Sequence, residues 1–324
     1  MKQRIGLCTY LSGLLALAFT SHAGGFVKAV TSSQASTPSS LVVNAERLDD
    51  RIIVRVNGET FTCYRFGSGQ KYPYFYPVNG PVSGRSVTTE SSLPYPHHRS
   101  LFFGCDRVNG GNYWQEGNEL GQIVSKGPSV LKSGPDLVQI QDDCEWRQPG
   151  QSPIIADRRD IRIEAPSREL RLIDFGITLT ALTEIKIERT NHSLFSARVE
   201  PGLSVKGGGT LINAEGASSE KGTYGVPSAW GDYSGKQCGT TEGIAIFDSP
   251  LSPWFPSKWF TRDYGFFSPT PMEWLGQEGY RLKQGEKLQL KYRVVVHAGD
   301  AGQANIESLF KQWKSTWPAV AARR

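Results

Sequence analysis

The chain has 324 residues, a formal charge of +5 and 38% hydrophobic residues, which is enough apolar material to bury a sizeable core. Lys and Arg are interspersed with Asp and Glu, and no concentrated basic stripe appears beyond the terminal Arg323-Arg324, so nucleic-acid binding has no electrostatic support.

At the N-terminus, Lys2 and Arg4 precede an apolar run over residues 5–19. Ser21-His22-Ala23 then supplies small residues three and one before a cleavage point. This is the layout of a secretory signal over residues 1–23, and it predicts an exported protein, periplasmic or extracellular, whose mature chain begins near Gly24. Loss of Lys2 and Arg4, with no acidic residue, takes the formal charge from +5 to +3. The apolar run is short for a membrane span and no later stretch approaches the ~20 apolar residues a spanning helix requires, so no span is expected after cleavage. Cys63, Cys105, Cys144 and Cys238 remain in the mature chain, and in an exported protein one or two disulfides are expected, with three full pairings open. No CxxC spacing supports a zinc or redox motif.

Residues 24–40 include the run 31–40, rich in Ser and Thr, which cannot bury enough apolar surface to offset chain ordering and is expected to be a tether. From residue 41 onward, short β-branched and aromatic runs alternate with Gly, Pro, Asn and Ser clusters. That pattern predicts one all-β domain over residues 41–318, a large antiparallel β-sandwich. Asn57-Gly58 between runs 52–56 and 60–66 predicts a tight hairpin. Further strands are expected at 137–140, 160–164, 170–180, 184–188, 192–199, 243–247 and 287–297. In the last, Leu288, Leu290, Tyr292, Val294 and Val296 share one face, while Lys287, Gln289, Lys291, Arg293 and His297 share the other, which is either solvated or lines a concave cleft. In 192–199, His192, Ser196 and Arg198 oppose Phe195, Ala197 and Val199. Ile306, Leu309, Phe310 and Trp313 have helical spacing and predict a short C-terminal helix packed on the sandwich.

The four histidines outside the signal segment, His97, His98, His192 and His297, are the best clues to a reactive centre, because imidazole suits proton transfer near neutral pH. Pro94-Tyr95-Pro96-His97-His98-Arg99 is a turn stiffened by two prolines that presents two imidazoles and a guanidinium. In an extended backbone His97 and His98 would point apart. The segment Trp254-Phe255-Pro256-Ser257-Lys258-Trp259-Phe260-Thr261-Arg262-Asp263-Tyr264 sets aromatic faces beside charges, as sugar recognition needs. Asn109-Gly110-Gly111-Asn112-Tyr113-Trp114 and Trp230-Gly231-Asp232-Tyr233 repeat that composition more weakly. No phosphate-binding loop, nucleophile elbow or His-Glu-x-x-His helix occurs.

Tyr72-Pro73-Tyr74-Phe75-Tyr76-Pro77, Pro96-His97-His98-Arg99 through Phe103-Gly104 to Val108-Asn109-Gly110 and Trp114, Arg171-Leu172-Ile173-Asp174-Phe175, Thr190-Asn191-His192 and Tyr292-Arg293-Val294-Val295-Val296-His297 together resemble the bacterial DUF6807 family. Its members often carry the label methane oxygenase PmoA. The resemblance covers nearly the whole mature chain and implies a β-supersandwich of the galactose-mutarotase kind. Two departures stand out: Asn191-His192-Ser193 where the family has histidine and glycine after Thr190, and Ser249-Pro250 where it has histidine before proline. The label implies a membrane subunit, and this chain has no spanning segment beyond its signal.

The leading expectation is therefore an exported carbohydrate-active protein, a lyase, hydrolase or isomerase acting on a glycan, acidic glycans included. Its catalytic candidates are His97, His98, His192, Tyr264 and His297. Its substrate-binding candidates are Arg99, Asn109, Trp114, Arg198, Trp230, Asp232, Trp259, Arg262 and Arg293. The expectation places His97, His98, His297 and Arg293 around one concave surface with Arg262 and Tyr264. The partner is a carbohydrate; no cofactor or metal is assigned. The alternatives are a non-catalytic glycan-binding protein and a copper-dependent oxidase, for which imidazoles are adequate ligands.

Overall fold

Asn57 and Gly58 adopt positive φ, 51° and 86°, and fold Arg51–Val56 back on Glu59–Arg65 as the expected hairpin. In Lys287–Ala298 the alternation also holds, with Leu288, Leu290, Tyr292, Val294 and Val296 buried on one side. The computed structural model describes residues 41–317 apart from 116 and 192. The expected signal segment, the tether and the candidate His192 lie outside the described residues.

The strands assemble into two large antiparallel sheets, an all-β sandwich with a short C-terminal helix. The first sheet runs Val43–Arg47, Arg51–Val56, Glu59–Arg65, Tyr74–Val78, Leu101–Gly104, Leu194–Arg198, Phe266–Pro269, Trp259–Arg262. The second runs Thr210–Asn213, Trp230–Gln237, Thr240–Asp248, Lys287–Ala298, Leu170–Ala181, Ile155–Ser167, Leu137–Arg147, Gln122–Ser125. The expected strands are present, several of them longer than their apolar runs.

Ring packing tells which face of each sheet turns inward. Phe103 of the first sheet lies 6.3 Å from Trp146 and 6.2 Å from Phe175 of the second, and Phe195 stacks on Tyr292 at 4.7 Å. With period two, Tyr74, Phe102, Ser196, Arg198, Phe260, Arg262 and Phe266 then stand on the outer face of the first sheet. By the same rule Asp174, Asp232, Gly243, Arg293, Val295 and His297 stand on the outer face of the second. The helix Ile306–Ser315 lies on that second face, packing Ile306, Phe310 and Trp313 against Leu172, Trp230, Ala245, Phe247 and Val295. The polar side of Lys287–Ala298 is thus neither solvated nor a cleft wall along its C-terminal half, because a helix arriving later in the chain covers it.

The expected disulfides are absent. Cys63, Cys105 and Cys144 are buried free thiols and Cys238 is an exposed one. Tyr64 turns inward to hydrogen bond Asp142 of the second sheet, so Cys63 faces outward from the first sheet, while Cys144 turns inward from the second beside Asp142. Side chains directed apart cannot be bridged without moving backbone.

Candidate functional site

The site is built on the outer face of the first sheet, starting from its aromatic floor. Tyr72 stacks on Phe102 at 5.1 Å, and its hydroxyl donates to the His97 carbonyl at 2.7 Å. The His98 amide donates to the Tyr95 carbonyl at 3.1 Å, closing a turn centred on Pro96 and His97. Because this backbone is a turn rather than extended, the two imidazoles meet edge to face at 4.5 Å instead of pointing apart. His98 is 1% exposed, parallel to Trp114 at 5.7 Å and packed 4.3 Å from Phe266.

The opposite wall comes from the tight turn between Trp259–Arg262 and Phe266–Pro269. Gly265 has φ 98°, and a Cβ there would come within 2.5 Å of Val199, so the turn can close this tightly only with glycine. It brings the Tyr264 ring 5.1 Å from Tyr95 and 6.2 Å from His98. Burial, with Tyr95 alongside, pushes the Tyr264 hydroxyl up to about 12, so it is protonated at neutral pH and donates rather than accepts a proton. Arg198 lies with its guanidinium 4.4 Å above the Tyr264 ring. Arg262 is held between Phe260 at 4.0 Å and Tyr224 at 4.5 Å, and pairs with Glu220 at 3.2 Å.

Between these walls is a cavity of about 240 Å³, faced by the rings of Tyr95, Phe260 and Tyr264, both imidazoles and Arg262. Gln115 and Asn191 complete its lining from loops. The loop carrying Asn191 is clamped by Asp106, whose carboxylate accepts from Thr190 at 3.0 Å and Ser193 at 2.9 Å. Burial raises the Asp106 pKa, and the two hydroxyl bonds act against that rise. Tyr95 and Asn191 were within motifs conspicuous in the sequence. Gln115, Asp106 and Glu220 carried no signal, since each acts through a partner distant along the chain or a loop neighbour.

Residues 51–311 match the model of DUF6807, a family of unknown function. The chain belongs to the DUF6807 family. No curated protein matches it. Among solved structures it is similar to a galactose 1-epimerase from Lactobacillus acidophilus NCFM, at 11% identity over 80% of this chain and 100% of that one, TM-score 0.38. It is also similar to a putative aldose 1-epimerase from Escherichia coli K12, at 11% identity, 80% and 99% coverage and TM-score 0.34. A polysaccharide lyase is similar at 10% identity, with 85% of this chain and 35% of that one covered and TM-score 0.30.

Of the residues singled out in this DUF6807 sequence, His97, His98, Arg262 and Tyr264 face the cavity, and Trp114 and Arg198 pack on residues that line it. Arg99 stays on the same sheet face, 5.7 Å above the Tyr74 ring and 3.8 Å from Glu90. Asn109 ties loops together, donating to the Glu184 carbonyl at 2.8 Å and accepting from the Lys186 amide at 2.7 Å. Trp259 is turned into the sandwich, where it stacks with Phe267 and donates to the Ser228 carbonyl at 2.8 Å.

Four others, Trp230, Asp232, Arg293 and His297, lie on the outer face of the second sheet, which for Arg293 and His297 is contrary to the expected single surface. Trp230 donates to Glu307 of the helix at 2.8 Å. Arg293 makes a two-pronged pair with Asp174 at 2.6 and 2.7 Å under the Trp313 ring. His297 is completely buried and bonded to Asp232 at 2.7 Å. Burial opposes its protonation, but the Asp232 carboxylate outweighs that and raises its pKa above the ordinary value. Period two correctly grouped Arg293 with His297; it could not tell that their sheet turns this face away from His97. Among the described residues no group of three or more His, Cys, Asp or Glu is arranged to hold a metal ion, and no helix is long and apolar enough to cross a membrane.

Proposed function

We propose that the outer face of the first sheet is a carbohydrate site and that this is an exported carbohydrate-active protein. The observation that carries the reading is the cavity's composition: flat ring faces of Tyr95, Phe260 and Tyr264 stand beside the polar edges of His97, Gln115, Asn191 and Arg262. A pyranose offers an apolar C–H face to such rings and a rim of hydroxyls to such edges. Export is argued from Lys2, Arg4 and the apolar run that follows.

The described lining includes no Asp or Glu, so the two-carboxylate arrangement of most glycoside hydrolases finds no support there. The groups present favour proton transfer at a sugar carbon or ring oxygen, with His97 as acid or base and Tyr264 as hydrogen-bond donor to developing negative charge. Screening the purified protein against mono- and oligosaccharides by calorimetry and by NMR of the products tests binding and turnover together. Tyr264→Phe is expected to lower turnover about a hundred- to a thousandfold with little change in KM, as removal of one donor to a developing charge does. Binding without turnover, unaffected by His97→Ala, would assign a glycan-binding protein in place of an enzyme. Absence of any sugar binding would end the carbohydrate reading.

A further inference from the structure

Arg198 carries a charge that the protein itself does not answer. It is only 4% exposed, and its Nε and Nη1 are buried without a hydrogen-bond partner. Tyrosine rings, that of Tyr264 at 4.4 Å, surround it, and the carboxylate acting on it is that of Glu200, whose effect is smaller than that of burial. Burial of a guanidinium without a counter-ion opposes folding, because water is lost and no ion pair replaces it.

Elsewhere the chain meets that cost. Arg159, fully buried between the sheets, makes two bonds to Asp157 at 3.0 and 3.2 Å and one to the Pro73 carbonyl at 3.2 Å. Arg198 has an aromatic face instead, and that face belongs to Tyr264, a wall of the cavity. Cation–π contact compensates only part of the lost hydration and satisfies none of the in-plane N–H donors.

We infer that Arg198 is an anion subsite beside this cavity, next to the Tyr264 ring that lines it, and receives an acidic group of the ligand, the carboxylate of a uronate residue or the phosphate of a sugar phosphate. The inference rests on the carbohydrate reading above and narrows it to acidic sugars. Guanidinium donors match the oxygens of either group, and the tyrosines around Arg198 exclude the water that would weaken the contact. An arriving anion would also oppose the effect of burial, which lowers the Arg198 pKa.

The test is calorimetric titration of the purified full-length protein, and of Arg198→Met and Arg198→Lys, with glucuronate-containing oligosaccharides, their carboxyl-reduced counterparts and glucose 6-phosphate. Arg198→Met is expected to lose about ten- to a hundredfold in affinity for the acidic ligand, the range for hydrogen bonds to a charged group, and none for the reduced one. Arg198→Lys is expected to retain part of the preference. Thermal unfolding of Arg198→Met should occur no lower than in the parent, because a desolvated unpaired charge has been removed. Preference for phosphate or for carboxylate identifies the source of the anion. Equal affinity for acidic and reduced sugars would overturn the anion subsite and leave the carbohydrate site standing; no sugar binding at all would overturn both. A lower unfolding temperature with an unchanged acid preference would make Arg198 a structural cation.

Discussion

On the outer face of the second sheet, His297 meets Asp232 at 2.7 Å and Arg293 meets Asp174 at 2.6 Å, beside the helix Ile306–Ser315. On the outer face of the first sheet, Arg198 meets the ring of Tyr264 and His98 stacks on Trp114. Both faces bury cationic side chains, and they differ in what lies above them. Where the chain closes over its own charges it provides the partners; where a cavity remains, rings and donors face a space that another molecule can fill. The second face carries the more conspicuous histidine and arginine of the sequence, yet the open chemistry is on the first.

The largest effect expected from breaking the comparison is on the sealed face. His297→Ala leaves Asp232 buried without its partner and should cost about 3–5 kcal/mol in urea denaturation. Sugar binding by the folded fraction should be unchanged. Since the His297 pKa is raised on folding, the pair's contribution is fully present below the ordinary value of 6.5 and is lost as pH rises through the folded value. Denaturation across pH 6 to 9 should show that loss in the parent and not in the variant. A cost under ~1 kcal/mol, the range of an exposed pair, would contradict the sealed character of this face.

A middle-sized effect is expected from Asp248, a buried acid that accepts from the Ser257 amide at 3.0 Å and is pushed up to about 6 by burial. A carboxyl raised on folding stabilises in its protonated form, so the parent should weaken as pH rises from about 4 to about 6. Asp248→Asn keeps an acceptor and removes the charge, and should be more stable than the parent at pH 8 by about 1–3 kcal/mol. Equal slopes with pH in the two proteins would remove Asp248 from the account.

The smallest effect sharpens the open face. The Arg262 and Glu220 side chains are 24% and 38% exposed, so Glu220→Gln should change stability by less than ~1 kcal/mol. It also relieves Arg262 of its partner, and affinity for an acidic sugar should rise. A fall in that affinity would show that Glu220 holds Arg262 in its binding position.

Much of this was legible in the sequence where a local rule decides the outcome. Asn57-Gly58 marked its hairpin, the alternation in Lys287–Ala298 assigned its two sides, and Ile306, Phe310 and Trp313 marked the helix. The strands Trp230–Gln237 and Phe266–Pro269 were hidden because Gly231, Gly235 and Pro269 read as turn residues. Gly231 serves another end: a Cβ there would come 3.1 Å from Trp259, so its absence lets that ring cross between the sheets. Within the site, the proline-framed turn and the aromatic segment before Tyr264 were visible. The misplaced residues, His297 and Arg293, show the limit of periodicity. Sharing a side of a strand is local, whereas which side of the sandwich it becomes is decided by pairing with Thr240–Asp248 and Leu170–Ala181.

Gly243 lies opposite His297 in the neighbouring strand, where a Cβ would approach the imidazole Cε1 to 2.5 Å and the Tyr233 carbonyl to 2.7 Å. That contact bears on how a mutational scan of this protein is interpreted. Every side chain at 243 must displace a buried imidazole or a sheet carbonyl, so substitutions there will score as null alleles although the residue touches no ligand. Ranking variants first by soluble yield, and only then by sugar turnover, would sort position 243 with the folding defects and leave the cavity residues as the ones whose loss is specific.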